Sequence, residues 1–330
     1  MNCISLTALA AALTAMLVGV PIICPSSEAT KLSVNWAEHD VPTICVQSPV
    51  DDAFVQSELS RLGGQMVEQG QLLPKAELLK RRLPTALTLP KPSVAPVDEA
   101  ALAAKCRQAV VVVARLTRLG EAKRWTALPA SGFFIASTGA FVTSSHSIHD
   151  PDYEGMVVLT GDGRVLPVRA LLADDELCDV AILQADGGLV AALPLEVAAE
   201  AGTRVAVMSP PVGRFFTFTQ GMVTRRSLRA RSAPAQELLE ISADFGPGSS
   251  GAPVVNSRGN AVGWVDTLMV WPADAHRDTT RSPRLTFREC GVTADLLRLV
   301  QPAGDGVSPS TAAIGNIQSR VNPRDMQSPK

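Results

Sequence analysis

Net charge is what this 330-residue chain has least of: 30 lysines and arginines stand against 32 aspartates and glutamates, a formal net charge of -2. So close a balance excludes a protein held to nucleic acid by bulk charge. Histidine is nearly as scarce, with His39, His146, His149 and His276 the four in the chain. None lies in an HExxH pattern, which excludes that class of zinc protease. HSIH, from His146 to His149, would seat two histidines on one turn but lacks an evident third ligand. No metal and no cofactor are therefore expected. His39 and His276 read as surface residues. No internal repeat is present, and no lysine or arginine precedes the apolar run 4–23, so a signal-peptide n-region is weak.

That run still has the length of a secretory signal or a membrane anchor. Ser27, Glu28 and Ala29 place small residues at a plausible cleavage point, and Pro21 disfavours an unbroken helix, so export with cleavage is the favoured reading of 1–29. Ile22 and Ile23 are bulkier than lipid attachment at Cys24 accepts. Hydrophobic residues make up 46 % of the chain, enough for a substantial core. Outside the export segment the cysteines are Cys45, Cys106, Cys178 and Cys290, which permit disulfides but do not fix a pairing.

The stretch 241–255, ISADFGPGSSGAPVV, carries the chemistry. A serine hydroxyl becomes a nucleophile only when a base takes its proton and backbone amides stabilise the oxyanion that forms. Small residues around Ser249 and Ser250 let the backbone turn tightly enough to aim several N–H groups at one spot, and Gly248 reaches angles closed to other residues. By itself such a stretch is more often a plain turn, so the partners decide. His146 ends the run SGFFIASTGAFVTSSH, which reads as strand, Thr138-Gly139 turn, strand, histidine. Asp179 opens the apolar strand of CDVAIL, whereas Asp174, Asp175 and Glu176 lie before it in turn-like sequence. The chain order is His146, Asp179, Ser250.

With these residues in view, the chain resembles the trypsin-like (chymotrypsin-fold) serine proteases, and within them the HtrA/Deg branch, over about residues 109–300. The histidine segment, the 157–183 segment with its aspartate, GTRVAVMSPPVGRFFTFTQGMVT at 202–224 and GPGSSGAPVVNSRGNAVGWV stand in that family's order. The resemblance implies an all-β fold of two six-stranded antiparallel barrels with the active site between them. It implies a triad of His146 as general base, Asp179 as its orienting carboxylate and Ser250 as nucleophile. Ser249 is the competing serine, but glycine, variable residue, serine, glycine places Ser250 at the reactive position. The oxyanion hole would be built from the N–H groups of Gly248, Ser249 and Ser250, and rotation at Pro247-Gly248 would switch it off. Ser249 stands where relatives have asparagine or aspartate, so activation by a new N-terminus is not expected. Ala252 replaces a glycine, and its methyl is expected to crowd the loop.

Substrate contacts follow from the same resemblance. Asp244 stands where trypsin-like enzymes place the floor of the primary pocket; buried there it would select lysine or arginine before the cut, whereas turned outward it would pair with an arginine. Val265, Asp266 and Thr267 read as the edge strand that pairs with substrate backbone. The partners expected are polypeptides, with unfolded or damaged proteins the class implied, in the periplasm or secreted. The alternative is an inactive homologue that binds extended peptides. The basic run 225–231 reads by default as a solvated loop, with binding to an anionic polymer or surface as the further alternative.

Around the barrels, residues 30–83 read as a small helical extension with Val55, Leu59, Leu62 and Met66 on one face, weakened at Gly63-Gly64. It would pack on the catalytic domain, mediate self-association, or serve as a partly ordered spacer. Residues 84–97 read as a proline-rich linker, 98–302 as the protease domain closed by a short helix capped by Thr293, and 303–330 as a disordered tail. No room is left for the peptide-binding PDZ domain of many HtrA relatives.

Overall fold

The computed structural model describes residues 41–81, 86–120, 124–150, 153–186, 188–197, 199–229, 235–272 and 284–302. The apolar N-terminal run, His39, His276 and the 303–330 tail lie outside them.

The chain opens with helices α1 (Asp52–Glu68) and α2 (Lys75–Lys80), a short strand β1 (Ala86–Leu87) and helix α3 (Glu99–Ala109). Strands β2 (Val110–Leu119), β3 (Arg124–Phe134) and β4 (Ala140–Thr143) follow, then the one-turn helix α4 (Ser145–His149). Next come β5 (Gly155–Thr160), β6 (Val165–Asp175) and β7 (Val180–Ala185). The second half holds β8 (Arg204–Ser209), a 3₁₀ turn (Pro211–Gly213), β9 (Thr217–Arg229), β10 (Gln236–Ile241), β11 (Pro253–Asn256), β12 (Ala261–Pro272) and β13 (Arg284–Val292). Helix α5 (Thr293–Leu299) and strand β14 (Gln301–Pro302), which pairs with β1, complete it.

Two closed barrels result. One runs β2-β3-β4-β7-β6-β5 and the other β10-β13-β12-β11-β8-β9, every neighbouring pair antiparallel. Closure leaves no edge within the paired lengths. The unbroken apolar run of β2 has a direct cause. Alternate side chains point to opposite faces of a strand, and here both faces are covered. Val111 and Val113 fill the first barrel with Phe134, Phe141, Val158, Leu166 and Leu183. Val112, Ala114 and Leu116 face outward into a second cluster with Val55, Leu59, Leu62 and Met66 of α1. That cluster continues into Met208, Val255 and Trp264 of the second barrel, so it also cements the joint between barrels. The second barrel's interior is filled by Val207, Leu239, Ile241, Val254, Val262 and Val292.

Helix α1 therefore lies on the first barrel. Asp51 caps it, accepting from the Phe54 N–H at 2.9 Å, and its apolar face is the predicted one. Gly63 and Gly64, weak points for an isolated helix, permit the contact: a Cβ would stand 2.5 Å from Leu116 Cδ1 at Gly63 and 2.3 Å from Trp125 Cγ at Gly64. Gln56 Nε2 donates to the Ala127 carbonyl at 2.7 Å, and the Ala127 N–H donates to Ser60 Oγ at 3.0 Å, which fixes the register of helix on strand. Thr293 does not cap α5. The cap position is Val292, and the Thr293 hydroxyl donates to the Glu196 carbonyl at 2.6 Å. Cys106, Cys178 and Cys290 are free thiols, and Cys45 is disulfide-bonded.

Candidate active site

The site is assembled from both barrels. On the first, β4 ends at Thr143 and α4 begins two residues later, so His146 stands in the first turn of a helix that starts where the strand stops. Asp179 sits in the turn before β7 at φ 51, a left-handed angle that aspartate tolerates better than most residues. Its carboxylate receives two bonds from one residue: the His146 N–H at 2.8 Å to Oδ1 and the ring Nδ1 at 2.7 Å to Oδ2. An ionised carboxylate can only accept, so Nδ1 carries the proton and Nε2 is left as a lone-pair base. The imidazole is 56 % exposed and the carboxylate 22 %. The hydrogen bond to Asp179 holds His146 above its ordinary pKa, while burial and Arg115 oppose the rise and Asp266 adds to it.

On the second barrel, the loop from β10 to β11 carries the two serines. Ser249 is buried, its Oγ 2.8 Å from Ser209 Oγ, while Ser250 is partly exposed. Ser131 of β3 ties this loop to the first barrel. Its hydroxyl donates to the Gly248 carbonyl at 2.8 Å, and its N–H donates to the Ser250 carbonyl at 3.1 Å. The Thr143 hydroxyl donates to the Ser131 carbonyl at 2.7 Å. Gly251, at φ 86, lies so close that a Cβ would stand 2.5 Å from the Ser131 carbonyl oxygen and 2.8 Å from the Ser144 nitrogen. The serine loop is thus pressed against the segment that leads into His146.

Of the three amides predicted for the oxyanion hole, the Ser249 N–H is withdrawn: it donates to the Gly246 carbonyl at 3.0 Å. The Gly248 and Ser250 N–H groups have no acceptor among the described residues. Asp244 is corrected as well. Alternation from Ile241 buries Ala243 and Phe245 in the second barrel and turns Asp244 outward, where its carboxylate is 76 % exposed and paired with Arg288. It is not a buried pocket floor. Val265 is not a free edge, because its carbonyl accepts from the Gly251 N–H and its N–H donates to the Ala252 carbonyl, both at 2.8 Å. From Asp266 to the end of β12, however, β13 flanks one side and no strand flanks the other among the described residues. The open edge starts one residue later than predicted, at Asp266 and Thr267. The Ala252 methyl is buried in the second barrel's core, away from the loop's open face.

His146 and His149 are drawn to different carboxylates. His149 Nε2 lies 2.7 Å from Asp174 Oδ2 and 3.8 Å from Glu176 Oε1, and Asp174 Oδ1 also accepts from the Ser145 hydroxyl at 2.6 Å. Beside Asp179, burial pushes the Cys178 thiol up to about 12, which keeps it from acting as a thiolate. The described part of the basic run is strand, not loop. Arg225 pairs with Glu240, Arg226 with Glu200 and Glu237, and Arg229 with Asp266 and Glu289. Sequence reasoning missed Ser131 and the Arg229–Asp266 pair, since neither has a local signal: each depends on a contact between distant segments.

Residues 130–263 match the family model described as a trypsin-like peptidase domain. Among known proteins the chain is similar to the probable periplasmic serine endoprotease DegP-like of Rhizobium meliloti (strain 1021), 28 % identical over 157 residues, covering 47 % of this chain and 30 % of that protein. The protein of the same description from Pseudomonas fluorescens is 32 % identical over 149 residues, covering 44 % and 30 % respectively. The putative serine protease HhoA of Synechocystis is 30 % identical over 142 residues, covering 40 % and 35 %. The chain thus spans about a third of the length of these curated relatives. The solved structure of the HtrA-type protease AlgW with a tripeptide shares the fold, at TM-score 0.50 and 18 % identity, over 61 % of this chain and 62 % of that one.

Proposed function

We propose that this chain is an exported, periplasmic serine endopeptidase. Ser250 is its nucleophile, His146 its base, and Asp179 the carboxylate that orients the base. The observation that carries the reading is the doubly bonded His146–Asp179 pair, set beside a serine loop that Ser131 clamps to the same barrel. In the reaction His146 Nε2 takes the Ser250 proton as Oγ attacks the peptide carbonyl. The Gly248 and Ser250 N–H groups receive the oxyanion. The imidazolium then protonates the departing amine, leaving an acyl-enzyme that water hydrolyses by the same steps. Residues 98–302 form the catalytic unit, and the helices before it are built onto that unit.

The substrate is an extended polypeptide. The open side of β12 beyond Val265 offers backbone groups to such a chain, and unfolded or damaged proteins present one. The periplasmic setting is taken from the names of the DegP-like relatives. Labelling with a fluorophosphonate probe and peptide mapping tests the reading. The tag is expected on Ser250 and is lost in His146→Ala. A folded chain that takes no tag would replace the reading with a homologue that binds peptides without cutting them.

A further inference from the structure

The peptide that presents the Gly248 N–H is held from outside the barrels. The Pro247 carbonyl accepts from the Val212 N–H at 2.7 Å. In a trans peptide the N–H points opposite the carbonyl, so this one bond turns the Gly248 N–H the other way. Val212 sits in the Pro211–Gly213 turn at φ 47, followed by Gly213 at φ 79 and Phe216 at φ 59. For a β-branched residue such an angle is an outlier, and it persists only where the surroundings impose it.

Helices α1 and α3 supply those surroundings. Asp52 Oδ1 accepts from the Phe215 N–H at 2.9 Å. Arg107 of α3 stacks on the Phe216 ring, 4.3 Å from its centre. Phe215 and Phe216 are buried in the cluster that holds Val55 and Leu59 of α1. Asp52 is not needed as the helix cap, because Asp51 fills that role. Its carboxylate is free to serve the turn.

We propose that Asp52 is a positioning residue for the reaction: through Phe215 it holds the 211–216 turn, and the turn holds the Pro247 carbonyl so that the Gly248 N–H faces the oxyanion. The helical extension is then a working part of the catalytic loop. This rests on the peptidase reading above.

The test compares the full chain with Asp52→Ala and Asp52→Asn, the latter retaining an acceptor oxygen. The substrate is a quenched fluorescent peptide spanning a bond that the wild-type chain cuts in an unfolded protein. Losing one oxyanion donor outright costs about 100-fold to 1000-fold in rate. A loosened donor should cost less, so Asp52→Ala is expected to lower kcat about tenfold or more with KM within about twofold, while Asp52→Asn stays within about threefold of wild type. Amide hydrogen exchange should rise in Asp52→Ala within 209–217 and 245–251. Unchanged kcat overturns the proposal whether or not exchange rises, and so does a loss confined to KM. A wild-type chain that neither turns over nor takes the fluorophosphonate overturns the peptidase reading itself, a different outcome from an active wild type with an equally active Asp52→Ala.

Discussion

At the scale of single residues, the proposed mechanism makes His146 the group that sets the pH dependence. Its pKa is raised above the ordinary value of about 6.5, first by the hydrogen bond to Asp179. The charged His146–Asp179 pair favours the folded state below that ordinary value, and this contribution is lost as pH rises through the raised one. In the proposed mechanism activity would run the other way, because only neutral imidazole could take the Ser250 proton. The acid limb of kcat/KM should therefore have its midpoint above about 6.5. Asp266 adds to the rise while Arg115 opposes it, so Asp266→Asn should move the midpoint down. A midpoint that stays put or climbs would mean that Asp266 does not act on the imidazole. For Asp244, exposed and paired with Arg288, replacement by alanine should change the preference for lysine or arginine before the cut by less than about threefold. A large loss of such cleavage would restore it to the pocket. The His146–Asp179 contact could be read from the sequence because His146 follows an apolar strand and Asp179 directly precedes one. Of the two readings of Asp244, strand alternation around Ala243 and Phe245 selects the outward one, paired with an arginine.

At the scale of elements, helix α1 separates propensity from packing. Its buried face could be read from the spacing of Val55, Leu59, Leu62 and Met66. The meaning of Gly63-Gly64 could not, since it depends on Leu116 and Trp125, which come from strands far along the chain. In an isolated helix Gly64→Ala would gain about 1 kcal/mol. Here the added methyl would meet the Trp125 side chain at 2.3 Å, and overpacking of that kind typically costs about 1–3 kcal/mol. Chemical denaturation should find Gly64→Ala less stable than wild type. A more stable variant would mean that α1 lifts easily off β3. The edge of β12 illustrates the same limit. A strand is recognisable from its residues, but which side stays unpaired is decided by where β11 stops, and the sequence of β12 contains no trace of that.

At the scale of the molecule, the extension before the barrels behaves as part of the core. The outward face of β2 has the same apolar character as its inward face, and α1 is what covers it. Burying a valine, leucine or methionine side chain stabilises by about 1.5–3 kcal/mol. Val55, Leu59, Leu62 and Met66 are all buried, none more than 5 % exposed. Their combined burial is comparable with the whole stability of a typical domain, about 5–15 kcal/mol. The full chain should therefore unfold with the helices and the first barrel in one transition, when helical circular dichroism and tryptophan fluorescence are followed together. A fragment of residues 98–302 should melt far lower or aggregate through the uncovered face of β2 and β3. If that fragment melts within a few degrees of the full chain, the extension is an accessory to the barrels and not a layer of their core. The length of the apolar run in β2 would then need another cause.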